Sequence, residues 1–195
     1  LQALLDADRA GQLGEARMGL VLCDKPGAPA VERARKAGIE VCIQEAGGYA
    51  DREDYDRDLV SKLKERDISL VVLAGFMRIM SEEFTAEFEG RALNIHPALL
   101  PAFKGAHGIK DAFEYGVKVT GVTVHFVDSE LDGGPVILQE CLRVDDGDTL
   151  ETLEDRIHEV EHRLYPEAVR LYAEGRLRLE GRKVISDRPG KGGTV

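Results

Sequence analysis

The sequence predicts an α/β protein: a mostly parallel, Rossmann-like open sheet with helices on both faces and an antiparallel hairpin late in the chain. Three observations carry that expectation. Short apolar runs alternate with amphipathic stretches through the first half, the pattern of strand–helix–strand units. One run, residues 70–74, is apolar without interruption, as in a strand buried on both faces. Beyond residue 115, two long strand-like runs follow one another with no helix between them, so they pair as a hairpin with a longer loop.

Residues 1–10 read as a helix, with Leu4 and Leu5 among Ala, Gln and Asp. A strand over 19–23 ends at the turn Asp24-Lys25-Pro26-Gly27. A helix over 31–37 stops at Gly38. In the strand over 39–43, Ile39, Val41 and Ile43 share one side. Residues 51–66 form an amphipathic helix with Leu59 and Leu63 four apart. After the strand over 70–74, Ser81 caps a short helix, and residues 92–95 make another strand. A helix over 108–115 precedes the hairpin strands 119–127 and 136–143, joined by 128–135. Leu150, Leu153, Ile157, Val160 and Leu164 then recur at three- and four-residue steps in a long helix capped near Asp148 or Thr149. Pro166 kinks that helix or begins a second segment. The tail over 186–195 is Gly-rich, charged and expected to fray.

A chain of 195 residues suits one domain, residues 1–195, with a substantial core. Charged residues are 32% and hydrophobic ones 43%, as in ordinary globular chains. The formal net charge of -10 argues against a broad nucleic-acid surface, which would be basic. A few local cations and backbone amides would still suffice for a small anionic substrate. No apolar run is long enough to span a bilayer, and no secretory pattern opens the chain. Cys23, Cys42 and Cys141 are far apart and odd in number, which suggests neither a disulfide frame nor a metal site. They read as three buried thiols in a reducing cytoplasm.

In an open α/β sheet, ligands sit beyond the carboxyl ends of the strands. Gly75-Phe76-Met77-Arg78 follows one strand there, and Asn94 and His96 end another. Residues two apart on a strand point the same way, so Asn94 and His96 project together before Pro97 and Pro101 halt regular structure. Leu131-Asp132-Gly133-Gly134 sets a carboxylate in a tight glycine turn. An amide, an imidazole and a carboxylate are the parts needed for acyl transfer: a carbonyl-oxygen stabiliser, a proton shuttle and a group that tunes the shuttle. Singly, each has a plainer use: Asn94 capping a turn, Asp132 shaping one, His96 satisfied by a backbone partner. Their combination favours catalysis.

The other histidines are weaker candidates. His107 reads equally as a ligand-contacting lid residue or as part of an inert surface loop. His125, alternating with Val124 and Phe126, reads as structural. His158-Glu159-Val160-Glu161-His162 matches the zinc-protease pattern literally, but so short a motif on a charged helix is commonly a solvated face, and no third ligand is evident.

With those residues in view, the chain resembles the phosphoribosylglycinamide formyltransferase family, folate-dependent transferases of purine biosynthesis. The resemblance covers nearly the whole chain. It rests on residues 72–80, 93–101, 121–134 and Glu161-His162-Arg163-Leu164-Tyr165-Pro166. It implies that Asn94, His96 and Asp132 form the catalytic trio. Asn94 would hold the oxyanion, His96 would stabilise it as imidazolium and move protons, and Asp132 would favour the charged ring. It places 10-formyltetrahydrofolate, the formyl donor, against Met77, Arg78, Ile79, Met80, Asn94, Asp128, Ser129, Glu130, Leu131 and Asp132, with Arg52 near the folate's anionic tail. Glycinamide ribonucleotide would meet Glu161 and His107. It implies no metal, small-molecule substrates, no nucleic acid or membrane partner, a cytoplasmic setting, and room for a homodimer.

One departure stands out. The family opens with a strand and a Gly-x-Gly-Ser-Asn loop that cradles the substrate phosphate, whereas this sequence starts at Leu1-Gln2-Ala3, just past that point. Two other readings compete. A formyltetrahydrofolate deformylase shares the Asn-His-Asp site but carries an extra N-terminal domain, for which 195 residues leave no room. A non-catalytic folate-binding module would not need the intact trio.

Overall fold

The computed structural model describes residues 1–187. Most of the tail expected to fray, residues 188–195, lies outside the described residues. In chain order the elements are α1 (Gln2–Arg9), β1 (Leu20–Cys23), α2 (Pro29–Lys36), β2 (Glu40–Ile43), a 3-10 turn (Ala46–Gly48), α3 (Arg52–Lys64), β3 (Val71–Leu73) and α4 (Glu82–Glu87). Then come β4 (Ala92–His96), α5 (Gly108–Tyr115), β5 (Val119–Phe126), β6 (Val136–Arg143), α6 (Leu150–Ala173), β7 (Leu177–Glu180) and β8 (Lys183–Ser186).

The α/β class holds. β1 pairs parallel with β2, β3 pairs parallel with β4, and the late pair β5–β6 is antiparallel. The ladder is interrupted, however: β1–β2 is one sheet and β3-β4-β5-β6 another. β3 therefore ends its ladder, and its residues are only half-buried, where the sequence predicts burial on both faces. Successive strand residues feed opposite faces. Val72 and Leu93 pack with α1 and α6, while Val71, Leu73 and Ala92 pack with α3 and α4. Helices thus cover both sides.

Capping follows the sequence at α4 and α6, and Asp51 adds a cap at α3. Asp51 accepts the Asp54 amide at 2.8 Å to start α3, Ser81 accepts the Phe84 amide at 3.3 Å to start α4, and Thr149 with Thr152 forms a capping box on α6. Pro166 does not divide α6, which runs unbroken to Ala173. The lost hydrogen bond is outweighed by packing on both sides of it: Leu164, Tyr165, Ala168 and Val169 are all buried. Tyr165 also ties α6 to the sheet, its hydroxyl donating to the Leu73 carbonyl at 2.6 Å and the Leu93 carbonyl at 3.0 Å. Burial pushes this phenol well above its usual range, so it remains a donor.

The cysteines depart from expectation. Cys23 and Cys42 are half-buried and Cys141 is exposed, because β6 is an edge strand whose outward face carries Gln139, Cys141 and Arg143. The β7–β8 hairpin and the 3-10 turn have no counterpart in the sequence reading.

Tyr165→Phe keeps the packing but removes the donor shared by two strands. It should lower unfolding free energy by about 1–2 kcal/mol, read from urea denaturation.

Candidate active site

β4 ends at His96, and Pro97 prevents the ladder from continuing. The chain beyond is strapped to the hairpin by one buried hydroxyl. Thr123 Oγ1 donates to the Ala98 carbonyl at 2.7 Å and accepts from the Leu100 amide at 3.1 Å and Gln139 Nε2 at 2.9 Å, which uses its full capacity. Gln139 Nε2 also donates to the Leu100 carbonyl at 2.9 Å. Gly121 lets this strap lie close, since a Cβ there would strike the Glu140 carbonyl and come within 2.8 Å of Leu99 Cδ2.

His96 is 4% exposed. Its Nε2 lies 2.8 Å from the Phe103 carbonyl, so the ring N–H donates there, and its Nδ1 lies 3.5 Å from Asp132 Oδ2. Asp132 Oδ2 also accepts the Gly105 amide at 2.8 Å. Asp132 has φ 48, in the left-handed region, and the next two glycines allow the turn to close. A Cβ at Gly133 would lie 2.5 Å from Glu130 Cβ, and one at Gly134 would collide with the Phe126 carbonyl. The Asp-Gly-Gly sequence is therefore dictated by backbone approach as well as by the carboxylate. Gly108 is similarly confined: a Cβ would sit 3.2 Å from His96 Nε2.

His125 stands directly across the ladder from Asn94. Its Nδ1–H donates to the Phe126 carbonyl at 2.8 Å, which leaves Nε2 to accept Asn94 Nδ2–H at 3.3 Å. Nε2 also lies 3.8 Å from Asp132 Oδ1. Burial pushes the His125 imidazole below its ordinary 6.5, against the opposing pull of the Phe126 carbonyl and Asp132. A neutral His125 thereby fixes which end of the Asn94 amide is nitrogen. The sequence reading gave this residue a structural role; only the β4–β5 register reveals its contact with the site.

These groups line a cleft of about 320 Å3. One wall is the segment after β3, with Met77, Arg78, Ile79 and Met80; the other is the β5–β6 loop, with Asp128, Glu130, Leu131 and Asp132; Asn94, His96 and His125 lie between. The first wall turns at Gly75, φ 70, and is anchored by α3. Buried Asp56 accepts the Ser81 amide at 2.5 Å, and the Arg78 guanidinium lies 4.4 Å from the centre of the Tyr55 ring. Met77 is 76% exposed, and Ile79 and Leu131 are also exposed, so the walls present apolar surface to solvent.

Four expected site residues lie outside the cleft lining. Ser129 is exposed in the β5–β6 loop. Arg52 begins α3 and pairs with Glu53 at 2.9 Å. His107 is exposed just before α5, next to Ala106 of the lining. Glu161 lies on α6, where His158 Nδ1 binds it at 2.7 Å. The His158 and His162 rings stack at 6.5 Å, and among the described residues no three His, Cys, Asp or Glu side chains gather as a metal site. Phe103, Gly105 and Gly108, which position His96 and Asp132, were not identified from sequence.

A family model described as formyl transferase matches residues 1–169. The chain is 42% identical over 179 residues to the phosphoribosylglycinamide formyltransferase of Escherichia coli, covering 92% of this chain and 84% of that protein. It is 42% identical over 179 residues to the trifunctional purine biosynthetic protein adenosine-3 of Gallus gallus, covering 92% of this chain but only 18% of that protein's length. Among solved structures, the glycinamide ribonucleotide transformylase 1 of Symbiobacterium toebii is similar with a TM-score of 0.92 and 46% identity, covering 95% of this chain and 87% of that one.

The depressed His125 makes a pH prediction. The unfolded chain takes up a proton at this position near pH 6.5 while the folded chain resists it, so this share of stability is present above 6.5 and lost as pH falls below it. His125→Gln should flatten the loss of thermal stability between about pH 6.5 and 5 relative to the parent protein.

Proposed function

The chain belongs to the formyl transferase family, and on that premise we propose that it transfers the formyl group of 10-formyltetrahydrofolate to the amine of glycinamide ribonucleotide in purine biosynthesis. The observation that carries this reading is the convergence of Asn94, His96 and Asp132 on one cleft with apolar walls. A volume of about 320 Å3 is at the lower end of small-ligand sites. The apolar side chains of Met77, Ile79 and Leu131 suit the flat pterin ring system of the donor, and the polar groups between the walls suit its reacting formamide.

The amine nitrogen attacks the formyl carbon, and a tetrahedral centre forms with negative charge on its oxygen. Asn94 offers the second hydrogen of its NH2 group to that oxygen, because the first is committed to His125. Both ring nitrogens of His96 face acceptor oxygens, an arrangement suited to a ring with a proton on each. Such a ring stabilises the oxyanion by its charge, gives a proton to N10 as that nitrogen departs, and then recovers one from the ammonium formed by the attacking amine. The bond from the formyl carbon to N10 then breaks, releasing tetrahydrofolate. Asp132 holds the ring in place, its Oδ2 lying 3.5 Å from Nδ1. Arg52 and Ser129 meet the donor beyond the cleft lining, while Glu161 and His107 serve the nucleotide. No metal takes part. The three unpaired cysteines agree with a cytoplasmic setting.

The direct test is tetrahydrofolate release by the full-length protein with and without glycinamide ribonucleotide. Release that requires the nucleotide is expected. Equal release without it would make the reaction a hydrolysis, and folate binding with no release in either case would make the chain a binding module. Asn94→Ala should lower kcat roughly 100-fold or more, and His96→Ala should keep donor affinity while losing most turnover.

A further inference from the structure

The β7–β8 hairpin lies beyond the segment that the family model matches, residues 1–169, yet it reaches the site. β8 packs beside β6, the strand that leaves the Asp132 loop. The hairpin turns at Gly181, φ 58, followed by Arg182. The Arg182 guanidinium donates from Nη2 to the Gly133 carbonyl, immediately after Asp132.

That contact completes a set of ties around one short turn. The Gly133 amide donates to the Glu130 carbonyl at 3.0 Å. The Glu130 carboxylate pairs with Lys104 at 2.9 Å, and the Gly105 amide holds Asp132 Oδ2 at 2.8 Å. Lys104–Glu130 is an exposed pair and contributes little rigidity alone. Asp132, at φ 48, occupies a conformation that persists only when its surroundings enforce it. The Arg182 bond is charge-assisted, part-buried, and made to the residue next to the strained one.

We propose that Arg182 is a positioning residue for the reaction: its guanidinium clamps the Gly133 carbonyl, keeps the Asp132 turn closed and so sets the carboxylate against His96. This rests on reading Asp132 as a catalytic group. It makes the C-terminal hairpin part of the active-site scaffold.

The experiment uses the full-length protein and its Arg182→Ala and Arg182→Lys variants. Hydrogen exchange over residues 128–134 needs no substrate and reads the clamp directly. Exchange at the Gly133 amide should quicken at least about tenfold in Arg182→Ala, with the β4–β5 ladder unchanged. Turnover should fall about tenfold, with both KM values nearly constant and a displaced pH profile of kcat, because the carboxylate is misplaced rather than removed. Arg182→Lys, which keeps a charged donor, should recover part of both. If Arg182→Ala fails to fold, the same comparison runs between Arg182→Lys and the parent protein. Unchanged exchange would overturn the clamp whatever the enzyme does. Faster exchange with unchanged kcat and pH profile would overturn the positioning role. If the parent protein shows no nucleotide-dependent turnover, the proposed reaction fails while the exchange result still judges the clamp.

Discussion

Asn94 faces His125 and His96 faces Thr123 because β4 and β5 pair in one register. Each functional feature of the cleft depends on that alignment. His125 fixes the Asn94 amide, and Thr123 straps down the segment that follows His96. A slip of one residue would turn Asn94 and His96 to the opposite face of the sheet, into the helix packing. The register is held by alternate burial, with Leu93 on the α6 side and Ala92 on the α3 side, and by the Tyr165 hydroxyl, which grips β3 and β4 together.

Around this frame the site is assembled from neighbouring elements, each contributing its own constraints. α3 places the first wall through Asp56 and Tyr55. The segment before α5 supplies the Phe103 carbonyl and the Gly105 amide, which orient His96 and Asp132. Most of these holding contacts go to backbone atoms. Backbone groups have fixed positions, so they locate a side chain with less loss of freedom than a second flexible side chain would.

Much of this was legible in the sequence, for reasons that also explain what was not. The caps at Ser81 and Thr149 act within three residues, so local pattern reveals them. Asn94 and His96 could be placed on one side because strand periodicity alone decides it. His125 could not be paired with Asn94, since that needs the register of strands thirty-one residues apart. That α6 continues through Pro166 is not legible locally, because the cost of the proline is local while the burial that outweighs it is tertiary. The interruption between β1–β2 and β3, and with it the half-burial of β3, is likewise a property of strand order that composition does not encode. Arg182 carries no local signal, because only the hairpin brings it to Gly133.

The left-handed backbone at Asp132 has an implication for engineering. An L-residue in that conformation costs about 1 kcal/mol relative to glycine, which adopts it freely. Glycine would relax the turn but would leave the Gly105 amide without its carboxylate acceptor, a loss of about 1–3 kcal/mol, so selection for heat resistance alone would keep the carboxylate. A library of this chain screened only for folding would therefore retain Asp132.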